Sequence, residues 1–274
     1  TPGIVTDNLV LKHKYDAGSV IPVSDGAAYF ISSSNDYISF SEISLSPHDT
    51  PCSFTFWAWR TTIDSWDIAL GHNSVSNYRF LLFDDAGGDR LLFEGNTDGD
   101  SATGTTAINA NEWNHFAVCT TGSSGAVKMY QNGAEISVSG TMDDDILLDR
   151  IGGGAGNFFG GYICNVGIWN GTQLTQEQVK SIMNKNYAGL TDSEKTNLVS
   201  WWNLDETIET TNISDEPNIV LDNNASNTEV LNWESNFSGT GITENANSGN
   251  FEVNANPPYT ESYIDQLQGA QLLI

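Results

Sequence analysis

The sequence predicts an all-β fold, an antiparallel β-sandwich with one or two short helices, and three observations carry that expectation. Residues 112–136 (EWNHFAVCTTGSSGAVKMYQNGAEI) hold two alternating apolar runs around a Gly/Ser tip, after which Asn132-Gly133 reverses the chain into a third short strand. Asn-Gly suits a two-residue turn with positive φ at both positions, whose twist matches the strands it joins. In SFTFWAWR (53–60), Phe54, Phe56 and Ala58 continue one face from Cys52 while Thr55, Trp57 and Trp59 share the other. Both faces are apolar enough to be covered, which places this strand centrally or beneath a capping element. Helix signals are confined to two short stretches after residue 174.

In chain order, 8–15 (NLVLKHKY) reads as a strand, and 27–40 (AAYFISSSNDYISF) as two short strands around a turn at 32–36. Strands DIALG, YRFLLF and RLLFEG follow between polar loops, then ILLDRIGG and the Gly-rich segment GGAGNFFGG (153–161). YICNVGIW (162–169) puts Tyr162, Cys164, Val166 and Ile168 on one side. Thr175 and Gln178 form a capping-box pattern ahead of the narrow apolar face of Val179, Ile182 and Met183. A second box, Thr191 with Glu194, suggests one more helical turn before LVSWWNL, whose Trp201 and Trp202 point to opposite faces. From Thr207 the composition shifts towards Asn, Thr, Ser and Glu with short apolar pulses. The expected organisation is a sandwich over 1–206 and a strand-rich extension over 207–274, docking on the sandwich or on neighbouring subunits of an assembly.

Thirty-five acidic against ten basic residues give a formal charge of −25. Phosphate binding needs a basic footprint, so nucleic acid is excluded as a partner. The acids are spread through loops, as on a solvated, self-repelling surface. No apolar run approaches a membrane span, so no membrane insertion is expected, and no signal-peptide pattern is present. Cys52, Cys119 and Cys164 are odd in number and widely spaced, and read as small core residues; a single Cys52–Cys119 or Cys119–Cys164 bridge is the alternative.

If the strands alternate as a simple meander, the loops containing Asn73 and Asn77, Asp98 and Asp100, and Asp143, Asp144 and Asp145 share one rim. Calcium takes roughly six to eight oxygen ligands, so this rim is the candidate metal site. Residues 96–100 (NTDGD) open like an EF-hand loop, but the Gly comes early and Ala107 stands where a bidentate Glu is needed. The opposite rim offers Trp66, Asp84, Asp85, Asn157, Phe158 and Phe159 as a carbohydrate-binding set of aromatics with polar partners. No catalytic residues are expected. Retaining glycoside hydrolysis needs two carboxyls about 5 Å apart, and no Glu-x-Asp-x-x-Glu spacing, which could supply them from one strand face, occurs. His13, His48, His72 and His115 are isolated, and His115, between strand aromatics, reads as a packed core or capping group.

Trp113, His115, Phe116, Ala117 and Val118 with Val127, Tyr130, Asn132 and Gly133, and then 160–179 (GGYICNVGIWNGTQLTQEQV), resemble the laminin-G/pentraxin-like domains of the concanavalin A-like lectin and glucanase superfamily. The resemblance runs over about residues 27–206. It implies a concanavalin A-like jelly roll and directs attention to calcium at the rim. The acidic pair frequent in the Gly-x-Ile-Asp-Glu-Val-like strand of such domains is here Cys164 and Asn165. The segments 15–30, 34–40 and 187–206 are similar to laminin-G-like parts of structural proteins of marine tailed phages. The resemblance thus implies a non-enzymatic structural or adhesion protein at an extracellular or virion surface, such as a head decoration or tail fibre, with cell-surface glycans as further partners. The alternatives are a secreted calcium-dependent carbohydrate-binding module and, more remotely, a glycoside hydrolase.

Overall fold

The computed structural model describes residues 20–24, 26–61, 66–73, 79–84, 89–95, 100–123, 125–154, 156–205, 219–221 and 230–232. The strand expected at 8–15 and most of the extension lie outside these residues. Among the described residues, two seven-stranded antiparallel sheets face each other. The first runs β1 (Ala28–Phe30), β15 (Gly161–Asn170), β3 (Cys52–Arg60), β8 (Trp113–Thr120), β9 (Val127–Gln131) and β10 (Ala134–Ile136), with β16 (Leu198–Trp202) also paired to β15. The second runs β11 (Val138–Gly140), β7 (Ser101–Gly104), β6 (Arg90–Glu94), β5 (Arg79–Asp84), β4 (Asp67–Gly71), β12 (Ile146–Ile151) and β2 (Ile38–Leu45). A small hairpin of β13 (Gly153–Gly154) and β14 (Asn157–Phe158) leaves the second sheet, and β17 (Ile219–Leu221) pairs with β18 (Val230–Asn232).

The chain is not one simple meander. Strands β4 to β7 form a meander in the second sheet and β8 to β10 another in the first; most other connections cross between sheets, whereas β11 to β12 and β15 to β16 stay within one. The second meander turns through Asn132 and Gly133 at φ 50° and 75°, as its sequence predicts. A Cβ on Gly133 would lie 2.8 Å from Lys180 Cγ, so the turn must be bare for α1 (Gln176–Ile182) to pack on it. That helix begins with the anticipated capping box: Gln178 N–H donates to the Thr175 hydroxyl at 3.2 Å and Thr175 N–H to Gln178 Oε1 at 2.9 Å. Thr191 and Glu194 repeat the exchange on a single turn.

Alternation along β8 divides two apolar layers. Phe116 and Val118 face the core between the sheets, with Phe54, Phe56, Phe83 and Phe93. Ala117 and Cys119 face outward, where α1 and its flanks bring Leu174, Val179, Ile182 and Leu190 over Trp169 and Trp201. Trp201 and Trp202 accordingly belong to different layers. Trp57 is buried beneath this cover and donates its indole N–H to the Met183 carbonyl, so it is a core residue with its polar end satisfied. His115 packs edge-on to Trp57, and burial pushes its imidazole down to about 3. The three cysteines are buried and unbridged.

Where β3 gives way to β4, Arg60 is sealed between the sheets. Its guanidinium lies 4.6 Å over the Phe83 ring, donates to Asp67 Oδ2 at 2.9 and 3.1 Å, and pairs with Asp89. A buried cation is tolerable because carboxylates and an aromatic face replace its water.

Candidate functional site

Strands β4 and β6 both run antiparallel to β5, and β12 runs antiparallel to β4. The ends of β4 and β6 and the start of β12 therefore lie at one rim. An aromatic grouping forms where the end of β12 lies between the end of β4 and the start of β2, and an acidic grouping at the rim itself.

The first is an aromatic pair with a polar fringe. Phe158, on the β13–β14 hairpin, stacks with Tyr37, just before β2, at a centroid distance of 6.2 Å and 27°. Both rings are half-buried. The hairpin can come so close because residue 153 is glycine: a Cβ there would meet Phe158 at 2.7 Å and Tyr37 at 3.3 Å. Arg150 of β12 lies with its guanidinium carbon 3.9 Å over the Tyr37 ring and donates to Asn73 Oδ1. Asn73 N–H donates to Asp149 Oδ1 at 2.8 Å. His72 Nε2 lies 3.1 Å from Glu42 Oε2 and 3.7 Å from Asp149 Oδ2. Burial pushes the Asp149 carboxyl up, against the opposing pull of His72, the Asn73 N–H and Arg150.

The second grouping is acidic. Asp143 N–H donates to Asp100 Oδ2 at 2.8 Å, and burial, with Asp144 and Asp143 nearby, pushes the Asp100 carboxyl up. Asp145 turns instead to His48, 3.8 Å away. Asn73 belongs to the aromatic grouping, and Asn77 and Asp98 lie outside the described residues. Among the described residues no group of three or more His, Cys, Asp or Glu side chains is arranged to hold a metal ion. One oxygen of Asp100 is already committed to a backbone N–H. These residues as placed do not fit calcium, which takes roughly six to eight oxygen ligands.

The carbohydrate-binding set anticipated from sequence is dispersed. Trp66, at φ 68°, precedes β4 and packs on Ile68 and Leu92, whereas the hairpin bearing Asn157 and Phe158 abuts Gly71 at the other end of β4. Phe159, next to Phe158, is fully buried against Phe30 and Phe83 and has no surface to offer a sugar. Asp84 ends β5 opposite Arg90, and Asp85 lies outside the described residues. Sequence reasoning did not find Tyr37, Glu42, His72, Asp149 or Arg150. A signal was present in the charged pair Asp149-Arg150 inside the apolar strand ILLDRIGG.

Fold and rim together define a lectin-like β-sandwich with a partly exposed aromatic edge. A laminin G family model, described as the concanavalin A-like lectin/glucanases superfamily, matches residues 32–180, more than half of the chain, and the protein belongs to that superfamily. No significant match exists among curated proteins. Among solved structures, the chain is similar to a Bacteroides ovatus protein described as carbohydrate binding, with 19% identity, a TM-score of 0.55 and coverage of 77% of this chain and 58% of that one. It thus spans little more than half the length of that protein. More distant likenesses are the CBM40 of the Ruminococcus gnavus IT-sialidase (17% identity, TM-score 0.40, covering 55% and 97%) and domains LG4-5 of the mouse laminin alpha1 chain (15%, 0.38, 56% and 44%). No described helix is long and apolar enough to cross a membrane.

Proposed function

We propose that the protein is a non-catalytic glycan-binding module acting at a surface, with sugar rings stacking on Phe158 beside Tyr37. The observation that carries this reading is the half-buried Tyr37–Phe158 pair fringed by Arg150, Asn73, Asp149 and Glu42. Sugars present apolar C–H faces to aromatic rings and hydroxyls to a few placed polar groups, and this edge supplies both. The superfamily and the Bacteroides ovatus likeness support the same reading. Nothing in this reading requires calcium.

Catalysis is not part of it either. Glu42 and Asp149 are both within ion-pair reach of His72 Nε2, at 3.1 and 3.7 Å, and so are engaged with it. Titration calorimetry against a panel of oligosaccharides tests the proposal. Binding of at least one, weakened roughly tenfold (~1.4 kcal/mol) by Phe158→Ala, is expected. Binding unaffected by that change, or release of reducing sugar from the ligand, would sink it.

The resemblance of 15–30 and 187–206 to phage structural proteins supports placing such a module on a virion, with 207–274 contacting neighbouring subunits. Sedimentation of the full chain and of 1–206 separates this setting from a free-standing lectin, which would be monomeric in both forms.

A further inference from the structure

Immediately before Tyr37 the chain closes a tight turn. The Ile31 carbonyl accepts from Ser34 N–H at 3.0 Å and from Asp36 N–H at 3.5 Å, the Ser32 carbonyl accepts from Asn35 N–H at 3.1 Å, and Asn35 takes the left-handed conformation at φ 61°. Asp36 ties the turn shut from inside, because its Oδ2 accepts the Ile31 N–H at 2.8 Å. Its Oδ1 is buried as well and has no hydrogen-bond partner among the described residues. A buried carboxylate oxygen without a donor is costly, and the cost is relieved by taking a proton or by reaching water. The β13–β14 hairpin packs on the turn with Asn157 and Phe158, neither of them charged. Of the charged groups nearby, Arg150 is held by Tyr37 and Asn73, and Glu42 and Asp149 are engaged with His72. Burial pushes the Asp36 carboxyl up to about 6, against the pull of the Ile31 N–H.

The turn is the part that can yield. Ser32–Ser34 is a single 3-10 turn with no buried residue, and Ser33 and Asn35 are exposed. Opening it sacrifices few contacts, whereas β2 beyond it is held in the second sheet by β12. Tyr37 is the next residue, stacked on Phe158 and covered by Arg150. We propose that Asp36 is a proton-operated latch on this aromatic edge: protonated, it keeps the turn closed and Tyr37 against Phe158; ionised, it draws the turn towards water and slackens the stack. The closed turn holds the proton more tightly than an open one, in which the carboxyl returns to its ordinary value of 3.8. Closure is therefore favoured fully below that value and progressively less as pH rises through about 6. The consequence for sugar binding rests on the reading of the edge given above, while the latch itself does not. An edge so built would hold a glycan in mildly acidic surroundings and release it in neutral ones.

NMR of the full chain between pH 4 and pH 8 reads the latch without any sugar. The Asp36 carboxyl carbon, the Ile31 amide and the Tyr37 ring are expected to share one midpoint at about 6. Asp36→Asn should remove that midpoint from the Ile31 and Tyr37 signals, while His72→Gln and Asp149→Asn, which alter the neighbours able to imitate the effect, should preserve it. Calorimetry with an oligosaccharide that the edge binds should then show affinity roughly fivefold weaker at pH 8 than at pH 5 in the unaltered chain, and equal at both in Asp36→Asn. A Tyr37 ring that does not titrate, an Asp36 carboxyl with its ordinary midpoint, or a Tyr37 midpoint that survives Asp36→Asn would overturn the proposal; the second of these is read from the unaltered chain and needs no variant to fold. A shared midpoint with no oligosaccharide bound would uphold the latch and remove the glycan reading, and binding without that midpoint would do the reverse.

Discussion

The guanidinium carbon of Arg150 lies 3.9 Å above the ring of Tyr37, and the same guanidinium is hydrogen-bonded to Asn73. Arg150 is thereby both a lid on one face of the aromatic pair and the link between β12 and the end of β4. Arg150→Ala should uncover the Tyr37 face and free Asn73. Sugar affinity is expected to fall severalfold and the melting temperature to fall with it, because the Arg150 side chain is only 11% exposed and a largely desolvated cation–π contact contributes about 2 kcal/mol. Calorimetry beside a thermal melt checks both halves.

Arg60 holds the opposite rim. Removing it leaves Asp67 and Asp89 buried against each other, 1% and 7% exposed. Arg60→Ala should therefore cost about 3–5 kcal/mol in urea unfolding, since one partner of a buried pair is left uncompensated. Replacing Arg60 together with Asp67 and Asp89 by apolar residues should recover much of that loss.

Asp36 is wholly buried and accepts the Ile31 N–H at 2.8 Å; burial pushes its carboxyl up to about 6, with that hydrogen bond pulling the other way. The folded value lies above the unfolded one, so its contribution to stability is complete below about pH 4 and is lost as pH rises through 6. Asp36→Asn can keep the Ile31 bond without the charge. It should stabilise the protein by roughly 1–2 kcal/mol at pH 8 and by nothing at pH 4, read from melts at both values. A gain of equal size at both would contradict the assignment.

Asp100 shares its neighbourhood with Asp143 and Asp144, and mutual repulsion helps keep its carboxyl above the ordinary range after burial has raised it. If no cation relieves that repulsion, chelation leaves both the melting temperature and sugar binding unchanged, and Asp144→Asn stabilises slightly, by a few tenths of a kcal/mol. A rise of several degrees with millimolar calcium would instead establish a cation site there.

Local chemistry made the scaffold readable. Asn132-Gly133 can make only a few turns, Thr175 and Gln178 cap one another three residues apart, and the two-residue period of β8 assigns Phe116 and Ala117 to different layers. The rim was harder because its parts meet through pairings distant in the chain: Tyr37, His72 and Arg150 come together only when β2, β12 and β4 lie side by side. Phe158 and Phe159 show the limit within a single dipeptide. One faces the surface and the other the core, and the choice follows from a two-residue strand that no propensity announces. A simple meander would put Trp66 at the same rim as that hairpin, whereas the chain doubles back after β12.

The cysteines described above have a practical consequence. Burial pushes the thiols of Cys52 and Cys119 up to about 12, and that of Cys164 well above its ordinary value. An alkylating reagent needs thiolate and access, and the native sandwich grants neither. Modification can proceed only when the sheets part, so the rate at which iodoacetamide consumes these groups becomes a clock for opening of the fold, while a single cysteine engineered onto the surface would accept a fluorophore alone.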